Sequence, residues 1–255
     1  MKNKEFEFYE EVKNWSFDEF EIETEDFTLW DLYDELRKIV KPDSKVLDLG
    51  TGGGEKVLKS FPDCAEIVGT DYSPAMIETA NENLKKSGRK NIVFKVMDNL
   101  NMNVADDYFD VVVARNTVTD PAQIYKCLKK GGYLLIRGVD KDDCHALKMM
   151  FGRGQGYTDK KPISIIDYEN VINAGFKDAE LIPIHEREYF KNRVLFKAFL
   201  EKVPILDSFS EEELNLDYEK TPIDDEILDD YIKDNTYDGK IRLLRRYYGI
   251  VARKK

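Results

Sequence analysis

Histidine and cysteine are both scarce in this chain, which holds 2 His and 3 Cys in 255 residues. The cysteines, Cys64, Cys127 and Cys144, are odd in number and share no metal-like spacing. That pattern argues against a disulfide framework and against a zinc site. The histidines, His145 and His185, leave little for a histidine-based metal centre, and no metal is expected. No apolar run approaches the roughly 20 residues that span a bilayer, so no membrane association is expected. The first residues, MKNKEFEFYEE, are polar and acidic and lack the apolar stretch of a secretory signal, which makes the cytoplasm the expected location. Cations are in the minority: 39 Lys and Arg stand against 50 Asp and Glu, for a net charge of -11. A protein that coats phosphates draws on the opposite balance.

The charge that is present is unevenly spread. Residues 1–44 carry net -8, residues 45–204 net +1, residues 205–239 net -11 and residues 240–255 net +7. A near-neutral block therefore carries two acidic appendages and a basic tail. Acidic helices are most simply solvated surface. A field that repels anionic partners is the sharper alternative.

The neutral block alternates strands and helices. Short apolar runs stand at 45–50, 66–71, 92–97, 109–114 and 132–138. Ser73-Pro74 and Asp120-Pro121 pair an N-cap with proline at the first helical position. Gly88, and Lys129-Lys130-Gly131, read as the corresponding stops. Strands separated by helices of ten to fifteen residues predict βαβ units around a parallel sheet, with helices on both faces. Further on, helices are expected over 141–150, 163–174, 193–203 and 224–235, and extended segments over 179–189 and 241–252. The aromatic N-terminal stretch (Phe6, Phe8, Tyr9, Trp15, Phe17, Phe20, Phe27, Trp30, Tyr33) and the helical insertion are more than a minimal α/β domain needs.

The chemistry-bearing motif lies where the first apolar strand runs into Gly50-Thr51-Gly52-Gly53-Gly54-Glu55. Such a turn lets backbone approach a ligand where a Cβ would collide. Ligands of open α/β sheets sit beyond the carboxyl ends of the strands. Three more strand ends carry polar residues: Asp71, Asp98-Asn99 and Arg115-Asn116. Asp71 is placed to accept both hydroxyls of a ribose, and Asp98-Asn99 to read an adenine edge. Any one of these is an ordinary turn residue, but polar groups at four successive strand ends are hard to assign to capping alone. The nicotinamide fingerprint G-x-G-x-x-G fails here, because Glu55 stands where its third glycine belongs.

In combination, VLDLGTGGGE (46–55), VGTDYSPAMIETA (68–80) and LKKGGYLLI (128–136) resemble the motifs of the class I S-adenosylmethionine-dependent methyltransferases, the type 11-like group in particular. Lys130 departs from the proline usual in the third motif. The resemblance covers roughly residues 40–140. It implies an α/β fold, a seven-stranded Rossmann-like methyltransferase sheet of order 3-2-1-4-5-7-6 with helical cap additions. It also implies a cap segment over 1–40, a core over 41–190 and 240–255, and a substrate-capping insertion over 191–239. S-adenosylmethionine is the implied co-substrate. Gly50, Gly52 and Gly53, with Thr51, would line its methionine part, and Asp48 would anchor the turn or the amino group. Asp71 would hold the ribose, and Tyr72 and Met76 would pack on the adenine. Asp98 and Asn99 would contact the adenine edge, and Arg115 and Asn116 would lie beside the methionine and the transferred methyl.

Methyl transfer from a sulfonium is an in-line displacement that positioning and water exclusion largely drive, so no catalytic diad need be visible. Arg137, Asp140, His145 and His185 are candidates near strand ends, and Arg153 and Tyr157 are candidates for a lid. The expected acceptor is a small molecule. No (D/N/S)-P-P-(Y/F) tetrapeptide follows the fourth strand, and no Pro-Cys pair occurs. Arg242, Arg245 and Arg246 are most simply expected to pair with the acidic insertion; a methyltransferase acting on rRNA or tRNA is the alternative they keep open, although the acidic appendages disfavour nucleic acid. A nicotinamide dehydrogenase, aminopropyl transfer and a non-catalytic nucleoside-binding module are weaker alternatives on the same kind of fold.

Overall fold

A strand whose residues are buried on both faces must sit inside a covered sheet, and KVLDL (45–49) is such a strand. The computed structural model describes residues 17–208, 210 and 220–255. Phe6, Phe8, Tyr9 and Trp15, and much of the acidic stretch before residue 220, lie outside the described residues. In chain order the strands are β1 (Glu23–Asp26), β2 (Lys45–Leu49), β3 (Glu66–Asp71), β4 (Ile92–Val96), β5 (Phe109–Arg115), β6 (Leu128–Val139), β7 (Asp178–Phe190), β8 (Thr236–Tyr237) and β9 (Lys240–Arg253). The helices are α1 (Leu32–Ile39), α2 (Glu55–Ser60), α3 (Pro74–Ser87), α4 (Pro121–Cys127), α5 (His145–Phe151), α6 (Ile163–Asn173), α7 (Arg193–Lys202) and α8 (Asp225–Asp234).

The strands form one sheet in the order β4-β3-β2-β5-β6-β9-β7-β1, with β8 paired to β9. The pairs from β4 to β6 are parallel. β9 then runs antiparallel between β6 and β7, and pairs along the whole of β7, from Asp178↔Arg253 to Phe190↔Ile241. The seven expected strands thus follow the expected succession. Two were not foreseen. β1 reads ETED and is exposed throughout, so it has no hydrophobic alternation to betray it. It is held by backbone pairing to β7 and by the Arg187–Glu25 contact of 3.3 Å. β8 is too short to leave a pattern.

Helices cover both faces. On one, Leu32 and Leu36 of α1, Val57 of α2 and Ile77 and Ala80 of α3 pack with Val46, Ile67 and Val111. On the other, Ile124 and Cys127 of α4 and Val171 of α6 pack with Leu47, Val112 and Leu134. α1 therefore belongs to the layer over the sheet. A third cluster, with Phe20, Phe190, Phe196, Phe199, Leu228, Tyr231 and Leu243, joins α7 and α8 to the far ends of β7 and β9. No helix among the described residues is long and apolar enough to cross a membrane.

Two helix boundaries differ from expectation. α4 starts as the sequence predicts: the Asp120 carboxylate accepts from Ala122 and Gln123 N–H groups. It stops at Cys127 and not at Lys130-Gly131, because Leu128 is already extended (φ -74, ψ 137) and pairs with Phe109. Burying Leu128 in the sheet outweighs another half-turn of lysines. The helix expected over 141–150 begins only at His145. Asp143 and Cys144 are buried just before it, with Cys144 at φ +54. Asp143 is committed elsewhere, to Arg245.

Arg245 of β9 is buried, and its guanidinium donates to Asp143 (Nε–Oδ1 3.0 Å) and to Glu188 of β7 (Nη1–Oε2 3.0 Å). Asp143 also accepts the Arg246 N–H at 2.7 Å. Burial raises the Glu188 carboxyl, and the charge of Arg245 opposes that shift. The basic tail therefore spends this charge inside the protein, on partners outside the acidic insertion. Removing one member of a buried pair strands the other charges. Arg245→Met is expected to cost about 3–5 kcal/mol of stability, measured by urea unfolding.

Candidate functional site

The turn after β2 is glycine-rich for local reasons. Gly50, Gly52 and Gly54 hold φ of +70, +56 and +77. A Cβ on Gly50 would lie 2.7 Å from Thr117 Cβ, and one on Gly54 2.8 Å from the Phe94 ring. Backbone sign and space thus both demand glycine there. The turn is tied to the end of β3: Thr51 N–H donates to the Thr70 carbonyl at 2.8 Å and Gly52 N–H to Asp71 Oδ2 at 2.9 Å. Asp71 Oδ1 accepts the Ser73 N–H at 2.9 Å, and the Ser73 side chain caps α3. The Asp71 carboxyl is fixed in place with lone pairs left over. Burial raises its pKa, and the backbone N–H groups oppose the shift.

Asp48 sits beneath the turn at 6% exposure. Burial pushes its carboxyl up to about 7, with Thr51 and the charge of Arg115 acting the other way. Tyr72 presents its ring at 59% exposure, while Met76 is buried under the same stretch. Asp98 Oδ1 accepts the Leu100 N–H at 2.8 Å, which fixes the turn after β4. The Asn99 amide donates to Thr117 Oγ1 at 3.0 Å and to the Val118 carbonyl at 3.3 Å. Its own carbonyl oxygen is buried without a partner. Asn116 is exposed at φ +50, and its N–H donates to the Arg137 carbonyl at 2.8 Å. The twelve residues singled out from the sequence therefore lie in or just after the carboxyl-terminal ends of β2, β3, β4 and β5. A nucleoside suits this donor set: a fixed carboxylate for vicinal hydroxyls, an exposed ring face beside it, and a turn without side chains.

Beyond Arg115 the edge opens into a cavity of about 170 Å³ lined by Trp30, Tyr33, Lys56, Arg115, Arg137 and Glu186, among others. Arg137 pairs with Glu186 at 3.0 Å and stacks on the Tyr247 ring, 3.8 Å from its centroid. Burial pushes the Tyr33 phenol up to about 12. Arg137 is thus a cavity residue. His145 is not among the residues lining the cavity: it is exposed on α5, 3.6 Å from Asp142. His185 is exposed too; its neighbours Ile184 and Glu186 line the cavity, so strand alternation turns His185 to the other face. Asp140 accepts from Ser164 at 2.7 Å. Arg153 donates to the carbonyls of Leu206, Thr221 and Pro222 and so staples its loop to the insertion. Lys56 and Glu186 escaped the sequence analysis. Lys56 carried a signal, since it follows the glycine motif in the first turn of α2. Glu186 carried only parity, which does not say which face of β7 meets the site.

The chain belongs to the methyltransferase-domain family, whose model matches residues 40–171. It is similar to the ribosomal protein L11 methyltransferase of Alkaliphilus oremlandii, at 30% identity over 121 residues, 45% of this chain and 38% of that protein. It is similar to the demethylmenaquinone methyltransferase of Bacteroides fragilis, at 26% identity over 117 residues, 42% of this chain and 48% of that protein. The matches thus span less than half the length of these relatives. Among solved structures, a putative methyltransferase from Bacillus halodurans C-125 superposes with a TM-score of 0.56 at 19% identity, covering 87% of this chain and 98% of that one. That level of identity speaks to fold alone.

Asp48 gives this site a pH signature. Its folded pKa lies above the unfolded value of about 3.9, so the folded state binds the proton more tightly. The associated stability is full below pH 4 and fades as pH rises through about 7. Between pH 5 and pH 8 the wild type is expected to lose about 2.5 kcal/mol from this group, and Asp48→Asn to lose none of it, read by urea unfolding at both pH values.

Proposed function

We propose that this chain is an S-adenosylmethionine-dependent methyltransferase that transfers a methyl group to a small-molecule acceptor by in-line displacement. The observation that carries the proposal is the Asp71 carboxylate, held by Gly52 and Ser73 N–H groups against a glycine turn at the end of the neighbouring strand. When bound, the sulfonium supplies both the methyl group and its own leaving group. What this chain contributes is binding and alignment. Asp71 takes the ribose hydroxyls, Tyr72 and Met76 the adenine face, and Asp98 and Asn99 its edge. Asp48, with Gly50, Thr51, Gly52 and Gly53, supports the methionine end together with Asn116 and Arg115, the latter of which also lines the cavity. Holding the acceptor atom on the carbon–sulfur axis and keeping water out then supplies much of the rate.

A small acceptor is supported by the modest cavity and by the demethylmenaquinone methyltransferase relative. RNA is disfavoured because Arg245 of the basic tail is buried and paired. The free thiols of Cys64, Cys127 and Cys144 suit the reducing cytoplasm. Calorimetry with S-adenosylhomocysteine tests the donor site. Asp71→Asn removes a charged acceptor and is expected to weaken binding by roughly tenfold or more. Tritiated-methyl transfer onto a metabolite extract and onto total RNA, run side by side, tests the acceptor class. Label in the extract alone is the expected result.

A further inference from the structure

The cavity beyond Arg115 sets three cations against three carboxylates, yet only one ion pair forms among them, Arg137 with Glu186. Arg115 ends β5, Lys56 lies in the first turn of α2, and Arg137 projects from β6. Arg137 is paired with Glu186. Neither Lys56 nor Arg115 has an ion-pair partner among the described residues. The other two carboxylates at the cavity, Asp26 and Asp31, point an oxygen at backbone. Asp26 Oδ1 accepts the Thr28 N–H at 2.7 Å, and Asp31 Oδ1 accepts the N–H groups of Tyr33 and Asp34 at 2.9 Å each. Trp30, on the same wall, has a buried indole N–H with no hydrogen-bond partner. Lys56 feels this crowding: its pKa is lowered first by burial and then by the charges of Arg115, Lys59 and Arg137, against Asp31. Buried donors without acceptors are costly, and unpaired cations gathered in one concavity repel one another. A ligand that brings oxygen acceptors with negative charge relieves both.

This cavity and the donor's nucleoside half lie along the same sheet edge, on opposite sides of β2. Asp71, Tyr72 and Asp98 lie over β3 and β4, on one side of β2. The cavity runs the other way, over β5 and β6 to Ile184 and Glu186 of β7. Four strand spacings part β2 from β7, roughly 19 Å across the sheet. A nucleoside seated on β2 to β4 leaves that stretch free. Resting on the donor reading above, we infer that this cavity is the acceptor's seat and that it takes a small molecule bearing an oxyanion, a carboxylate or a phosphate, gripped by Lys56, Arg115 and Arg137 with the Trp30 N–H as a further donor. Guanidinium groups suit either oxyanion through paired N–H donors, and a lysine adds a point charge.

Benzoate and phenyl phosphate, with benzamide as the neutral control, are the probes. Ligand-observed NMR titration of the protein saturated with S-adenosylhomocysteine reads their affinities. Both oxyanions are expected to bind at least tenfold more tightly than benzamide, and the tighter of the two names the preferred group. Lys56→Gln and Arg137→Gln are each expected to weaken oxyanion binding at least fivefold, while the affinity for S-adenosylhomocysteine moves less than threefold. Lys56 projects from the surface of a short helix, so its variant keeps the test open if loss of Arg137 harms folding. Equal binding of benzamide, or oxyanion binding untouched by Lys56→Gln, overturns the inference and leaves the methyltransferase reading standing. Variants that weaken S-adenosylhomocysteine instead assign these cations to the donor and also overturn it. A wild type that binds no S-adenosylhomocysteine overturns both.

Discussion

Parallel pairing of β2 with β3 on one side and β5 on the other forces the strands from β4 to β6 to end on a single edge of the sheet. The glycine turn, Asp71, Asp98-Asn99, Arg115-Asn116 and Arg137 meet because the strands that carry them share one direction. An antiparallel sheet of the same strands would scatter them to opposite edges. Once direction is shared, short-range hydrogen bonds finish the arrangement: Gly52 to Asp71, Asn99 to Thr117, and Asn116 to the Arg137 carbonyl. Each bond ties one strand end to another, so the edge is a connected surface.

The antiparallel pair β7–β9 extends that surface. Its register runs unbroken for thirteen residue pairs, which carries Ile184 and Glu186 to the cavity while the far ends of both strands anchor α7 and α8. Arg245 links these two roles. It holds Glu188 and Asp143 on one side, and on the other lies 4.9 Å from the centroid of the Tyr247 ring, against which Arg137 also stacks. The buried ion cluster and the cavity cation thus share one aromatic spacer.

Much of this was legible in the sequence, and the reasons are local. Apolar runs ending in glycine or aspartate mark parallel strands because both faces must be apolar and each strand must turn at its end. Ser73-Pro74 and Asp120-Pro121 mark helix starts because the capping oxygen and the fixed proline φ act within four residues. What escaped depends on long-range pairing. β1 is all polar, and only β7 makes it a strand. α4 stops early because Leu128 finds a place beside Phe109, nineteen residues back in the chain. His185 and Glu186 differ only in parity, and the register with β9 decides which of them meets the cavity.

The net charge of -11 argues against nucleic acid in bulk, yet it misdescribes the site. Most of the excess negative charge belongs to the N-terminal and insertion segments, whereas the cavity balances Lys56, Arg115 and Arg137 against Asp26, Asp31 and Glu186. Global and local fields therefore act on different properties of a ligand. A small anion in the cavity meets Lys56, Arg115 and Arg137 at contact together with Asp26 and Asp31, while salt screens charges farther off over about 8–10 Å. What a ligand meets at the sheet edge is set by these few side chains and not by the net charge of the chain.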